Sequence, residues 1–200
     1  MEVQMAQATF YFDLGSPFAY LAAERMHEVI PAPITWQPVS LGALFKLTGR
    51  SSWALGEPQA RQAGMIEVER RAHLYGLAPM RWPDPWPDNY LMAMRAATFA
   101  YRVGRGREFT ISAFRHAFHE GADLSIPVNV LRAAADAGLD PGETEAAAQD
   151  PLIKLALREA TDAAHALGVF GVPTVAVEGE LFWGDDRLVD AAHRLEQAAS

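Results

Sequence analysis

The chain has 200 residues, half of them apolar and 21% charged, a composition that excludes disordered, collagenous and coiled-coil chains and suits a protein with one proper core. Its 17 basic and 25 acidic side chains give a net charge of −8, without the basic footprint expected for nucleic-acid or anionic-membrane binding. Cysteine is absent, which removes disulfides, thiolate zinc sites, iron–sulfur clusters and any protein thiol nucleophile.

The polar start Met1–Ala8 carries neither the basic nor the apolar region of a secretory signal, and no run of about 20 apolar residues follows, so a cytoplasmic, non-membrane protein is expected. Ala8–Asp13 (ATFYFD) is short and aromatic and ends at Leu14-Gly15, which predicts a buried strand and a turn. Ser16-Pro17 then opens a helix: serine is a favoured N-cap, and proline lacks the N–H that the first turn would leave without a partner. Phe18, Leu21, Ala22, Met26, Val29 and Ile30 follow at helical spacing until Pro31-Ala32-Pro33. Ile34–Val39 predicts a second strand, with Pro38 placing it near an end or an edge.

From Gly42 to Gly168 the texture is helical, with Gln59–Leu77, Leu91–Val103, Glu108–Glu120, Pro127–Ala137 and Pro151–Leu167 separated by Gly or Pro. Strand character returns at Pro173–Val177 and Leu181–Trp183, joined by Glu178-Gly179-Glu180. Gly184-Asp185-Asp186 reads as a turn and N-cap for a closing helix, Arg187–Ala198. The order β-α-β, helical block, β-β-α predicts an α/β protein of thioredoxin-like layout. Its two halves are residues 1–42 and 169–200, and the helical insertion is 43–168.

Three features read as structural. His116, His119 and Glu120 share one helix face by spacing and read as a solvated polar face, so no metal site is expected. Gly104-Arg105-Gly106-Arg107 follows a helix rather than a strand, which makes it a helix end and turn rather than a phosphate loop. Arg70-Arg71 and Arg102–Arg107 read as short solvated basic patches.

FYFDLGSPFAYLA at 10–22, WPDNY at 86–90 and GVFGVPTVAVEGELFWGDDRL at 168–188 together resemble the 2-hydroxychromene-2-carboxylate isomerase family, which is grouped with kappa-class glutathione transferases and DsbA-like thioredoxin-fold proteins. The resemblance spans nearly the whole chain. It implies a homodimeric isomerase of an aromatic or conjugated keto-acid that uses glutathione as its thiol catalyst. A kappa-like transferase conjugating glutathione to an electrophile, and a non-catalytic thioredoxin-fold binding protein, share the same motifs.

Where DsbA-like oxidoreductases carry Cys-x-x-Cys, this chain has Ser16-Pro17-Phe18-Ala19, so dithiol exchange is impossible. A hydroxyl at a helix N-terminus remains, where backbone N–H groups and the helix dipole favour an anion. Such a hydroxyl can donate to a thiolate and lower its pKa. The resemblance assigns Ser16 to the glutathione thiolate. The family's SPFSYL-like wording is SPFAYL here, so position 19 has no hydroxyl. Gly171-Val172-Pro173-Thr174 resembles the thioredoxin-fold cis-proline segment, whose backbone at Val172 would pair with glutathione by strand addition. Lys46, in LGALFK, would pair with the glycyl carboxylate. Asp185 and Asp186 would meet the γ-glutamyl end or cap the last helix. Trp82, Pro85, Trp86 and Pro87 would form a rigid aromatic wall for a flat substrate, and the resemblance places Asn89 and Tyr90, with Phe18, beside that substrate. Given the acidic net charge, the mouth of the site is expected to be locally positive through Lys46 or a nearby arginine.

Overall fold

The computed structural model describes residues 8–198; the polar segment 1–7, read above as lacking a signal, and residues 199–200 lie outside it. The sheet contains β1 (Ala8–Phe12), β2 (Thr35–Pro38), β3 (Thr174–Val177) and β4 (Glu180–Trp183) in the order β2-β1-β3-β4. β1 is central because it is apolar toward both faces: Phe10 and Phe12 are fully buried, and Tyr11, pointing the other way, is nearly so. It pairs with β2 in parallel, Phe10 opposite Trp36, and with β3 antiparallel, Phe10 opposite Val175. Pro38 ends β2 on the sheet's edge, where its missing N–H removes no ladder bond.

A parallel pair needs a crossover, and α1 (Pro17–Val29) supplies it. α1 and α2 (Leu41–Thr48) therefore both begin at the C-terminal ends of neighbouring parallel strands. Each has a serine N-cap: Ser16 accepts the N–H of Ala19 at 3.2 Å, and Ser40 accepts that of Ala43 at 3.3 Å. The following helices are α3 (Pro58–Leu74), α4 (Leu91–Arg102), α5 (Gly106–Phe118), α6 (Pro127–Asp136), α7 (Pro141–Gln149) and α8 (Pro151–Ala166). α9 (Leu188–Ala198) closes the chain, and Trp53–Leu55 and Asp185–Arg187 are single 3-10 turns.

The helical insertion shares the sheet's core. Phe12 of β1 lies 6.2 Å from the ring of Phe114 on α5 and 6.1 Å from that of Tyr101 on α4, and Tyr20 of α1 lies 5.4 Å from Phe118. On the opposite side Tyr11, Val39, Leu44, Ala164, Val169 and Val172 form a smaller cluster beneath α2 and α8. Among the described residues no helix is long and apolar enough to cross a membrane.

Three sequence readings are corrected. The sequence pattern predicts no separate helix over 41–48 or 141–149, where α2 and α7 form. The expected solvated face holds for Glu120, which is exposed, but not for His116: its ring is buried between α5 and α6, with Nε2 2.7 Å from Asp136 and Nδ1 3.1 Å from Glu120, while the half-buried His119 pairs with the Tyr20 hydroxyl. Arg71 is not a surface cation, because it turns inward to a buried carboxylate, described below.

Candidate active site

The turn from β1 to α1 is built around Asp13. Its Oδ1 accepts the Gly15 N–H at 2.8 Å, its carbonyl accepts the Ser16 N–H at 3.0 Å, and its Oδ2 accepts the Leu41 N–H of α2 at 2.8 Å. Leu14 directs its N–H to the sulfur of Met94 on α4. This holds Ser16 at the start of α1 with its hydroxyl toward the segment before β3. Ser16 Oγ lies 3.5 Å from the carbonyl oxygen of Val172, and the Val172–Pro173 bond is cis.

These elements border a cleft of about 760 Å³, within the size range of small-molecule sites. One wall is aromatic. Phe18 meets Trp53 edge-on at 6.0 Å, Trp53 meets Trp86 at 5.5 Å, and Trp82 backs Trp86 at 4.7 Å. Trp86 Nε1 donates to the Gly15 carbonyl, and Arg61 donates to the Trp86 carbonyl. Tyr90 lies against Gly15 so closely that a Cβ there would strike its ring. The Tyr90 hydroxyl is buried beside the Asp88 backbone with no hydrogen bond of good geometry, and burial pushes its phenol well above the usual range. Asn89 spends its Oδ1 on the Leu91 N–H at the start of α4.

The opposite wall is formed by Phe170 and Trp183, 4.9 Å apart, with the Arg50 guanidinium 4.1 Å over the Phe170 ring. Lys46 and Arg50 both border the cleft near the end of α2, and Asp88 and Asp13 border it as well, so its lining carries charges of both signs. Cations are favoured at a helix C-terminus. Asp13 is the buried acid of the site; loss of solvent pushes its carboxyl up to about 6, outweighing the two N–H bonds that pull it down.

The cleft thus brings together Ser16, Phe18, Lys46, Trp86, Asn89, Tyr90 and Val172. Pro173 stands behind Val172, its carbonyl accepting the Gly184 N–H at 3.0 Å, and does not border the cavity. Asp185 and Asp186 also lie outside the lining. The Asp185 carboxylate is 1% exposed and already has two donors, Arg71 Nη1 at 2.8 Å and the Tyr75 hydroxyl at 2.9 Å, so it neither faces a ligand in the cleft nor caps α9. Burial raises its pKa, and the Tyr75 and Arg71 contacts oppose that rise. Asp186 is exposed, 3.4 Å from Arg71.

Sequence reading missed Asp13, Arg50, Trp53, Phe170 and Trp183 as cleft residues. A charged side chain closing an otherwise apolar strand was the available signal for Asp13. Reading LGALFKLT as a helix would have put Lys46 and Arg50 at one end.

A thioredoxin-type sheet with a helical insertion and a cleft at the start of α1 defines the class. The family model for the DSBA-like thioredoxin domain matches residues 7–196, and the chain belongs to that family. A 2-hydroxychromene-2-carboxylate isomerase of Sphingobium xenophagum is 27% identical over 183 residues, covering 90% of this chain and 92% of its own. One of Pseudomonas putida is 25% identical over 185 residues, covering 90% and 89%. A solved 2-hydroxychromene-2-carboxylate isomerase superimposes with a TM-score of 0.81 at 23% identity, over 95% of this chain and 94% of its own. A probable DsbA oxidoreductase of Streptomyces coelicolor gives 0.80 at 22% identity, over 96% and 89%. The resemblance read from the three motifs is borne out at the level of the family.

Proposed function

We propose that the protein is a glutathione-dependent cis–trans isomerase of the 2-hydroxychromene-2-carboxylate type, acting on an aromatic or conjugated keto-acid. The observation that carries this reading is Ser16: a hydroxyl at a helix N-terminus, facing the Val172 backbone, in an aromatic cleft of a chain without cysteine. The curated relatives' names support the isomerase class.

The donors present fit glutathione. Ser16 Oγ already accepts the Ala19 N–H, and its 3.5 Å contact to Val172 is long for O–H···O, so its proton is available to an incoming anion. The amide dipoles at the start of α1 favour negative charge at the same point. Lys46 and Arg50 suit carboxylates. The backbone at Val172 suits a peptide laid alongside it.

Glutathione, when bound, supplies a thiolate that adds reversibly to a conjugated carbon and so allows rotation about the former double bond. Ser16 donates its hydrogen bond to keep that sulfur ionised at neutral pH. Phe18 and Trp53, backed by the buried Trp86, offer a flat substrate an aromatic wall and exclude water.

Difference spectroscopy in the thiolate absorption band, on adding glutathione to the purified protein, tests the reading. Millimolar or tighter binding with a growing thiolate signal is the expected result, followed by isomerisation of a hydroxychromene carboxylate at a rate above conjugation of a halo-aromatic. Absence of binding would overturn the reading, and faster conjugation would transfer the protein to the transferases.

A further inference from the structure

Asp13 joins two helix N-termini beneath the cleft. Its oxygens are divided between them. Oδ1 holds the Gly15 N–H in the turn that presents Ser16, and Oδ2 holds the Leu41 N–H, the first residue of α2, whose other end carries Lys46 and leads to Arg50. An ionised carboxylate accepts strongly on both oxygens, whereas protonation turns one of them into a hydroxyl, a much poorer acceptor for the N–H it faces, whose proton needs a partner of its own. We propose that ionised Asp13 is a positioning residue, a clasp that holds the Ser16 turn and the Lys46–Arg50 end of α2 at a set spacing, and that its protonation releases one of the two. The inference rests on the function proposed above for what the two elements grip, but the clasp itself concerns only this chain.

The charged and titratable groups that border the cleft with Asp13 are Lys46 and Arg50 from the α2 side and Asp88 and Tyr90 from the 86–90 segment; Tyr11 of β1 packs under α2 with Val39 and Leu44, and Asp13, Asp88 and Asp123 all act on Tyr90. Burial raises both phenols, so they stay neutral through the range of interest. No histidine borders the cleft among the described residues. Asp13, pushed up to about 6 by burial, is the group whose titration falls there.

The test is amide hydrogen exchange at Gly15 and Leu41, followed by NMR on the ligand-free protein from about pH 5 to about pH 8 and corrected for intrinsic rates. The wild type and Asp13→Asn, which mimics the protonated acid, are compared. In the wild type, protection of at least one amide should fall about tenfold as pH drops, with the midpoint of the Asp13 carboxyl carbon's own titration, and Asp13→Asn should show low protection without a step. A flat wild-type profile, or a step that survives in Asp13→Asn, would overturn the clasp. Should the variant fail to fold, the shared or separate midpoints of amide and carboxyl in the wild type decide the matter. A parallel glutathione titration should show about tenfold weaker binding to Asp13→Asn near pH 7.5, and equal affinities would remove the positioning role. If the wild type binds no glutathione, the proposed function fails, and the clasp is judged on the amides alone.

Discussion

A serine at an N-cap commits its oxygen to the backbone but leaves its proton free, and Ser16 is placed to use that difference. Ser16→Ala removes the cap and the donor together. The cap is worth about 1 kcal/mol, so the variant should melt slightly earlier and keep its fold. Turnover with glutathione should fall at least about tenfold, which steady-state kinetics beside circular dichroism will separate from the stability loss. Asp13 makes a prediction of opposite sign to an ordinary paired carboxylate. Its folded pKa, about 6, lies above its ordinary 3.8, so the folded state binds the proton more tightly. The associated stability is present below about pH 4 and is lost as pH rises through about 6, on the order of 3 kcal/mol in all. Denaturant unfolding of wild type and Asp13→Asn across that range should show their difference shifting by this amount in favour of the variant. Ser16 was legible because its cap partner, Ala19, is three residues away. His116, Arg71 and Asp185 were not, because Asp136 lies 20 residues from His116 and Arg71 lies 114 from Asp185.

At the scale of elements, α3 supports the aromatic wall at a distance. Gly64 lies in its middle, and a Cβ there would strike the indole of Trp53. Gly64→Ala improves helix propensity by about 1 kcal/mol. It nevertheless displaces the ring that links Phe18 to Trp86. The expected outcome is a helix at least as stable, a shifted tryptophan emission and weaker binding of a flat aromatic acid, measured by fluorescence titration. Unchanged affinity would show that Trp53 does not shape the cleft. The β-α-β and β-β-α halves were readable because short apolar runs bounded by turns, and helix caps, are local signals, and the long helices of the insertion were readable from their equally local periodicity. α2 escaped notice because LGALFKLT is a short apolar run with an internal glycine. Its helical state draws on Ser40, on Asp13 and on the Thr161 hydroxyl of α8, which accepts the Ser40 N–H at 3.0 Å. α7 is held by the Asp140 cap, over nine residues with a glycine near their start.

Over the whole molecule, the net charge of −8 repels anions at long range, and at the cleft Lys46 and Arg50 are the two cations that oppose this repulsion, beside the carboxylates of Asp13 and Asp88. Lys46→Glu combined with Arg50→Glu should lower glutathione affinity about tenfold at low salt. The gap should narrow toward 1 M salt, where screening acts within about 3 Å. A gap indifferent to salt, read by calorimetric titration, would mean that these cations act by shape instead of charge. The cleft also draws on chain segments from Asp13 to Trp183. Ser16 leaves the ribosome early, but the carbonyl it faces belongs to Val172, 156 residues later. At ordinary elongation rates that is a delay of roughly 8 to 30 s. During that interval a nascent chain has the helix start and the aromatic residues without the second wall, so a chain halted before Val172 has no completed cleft to offer a thiol.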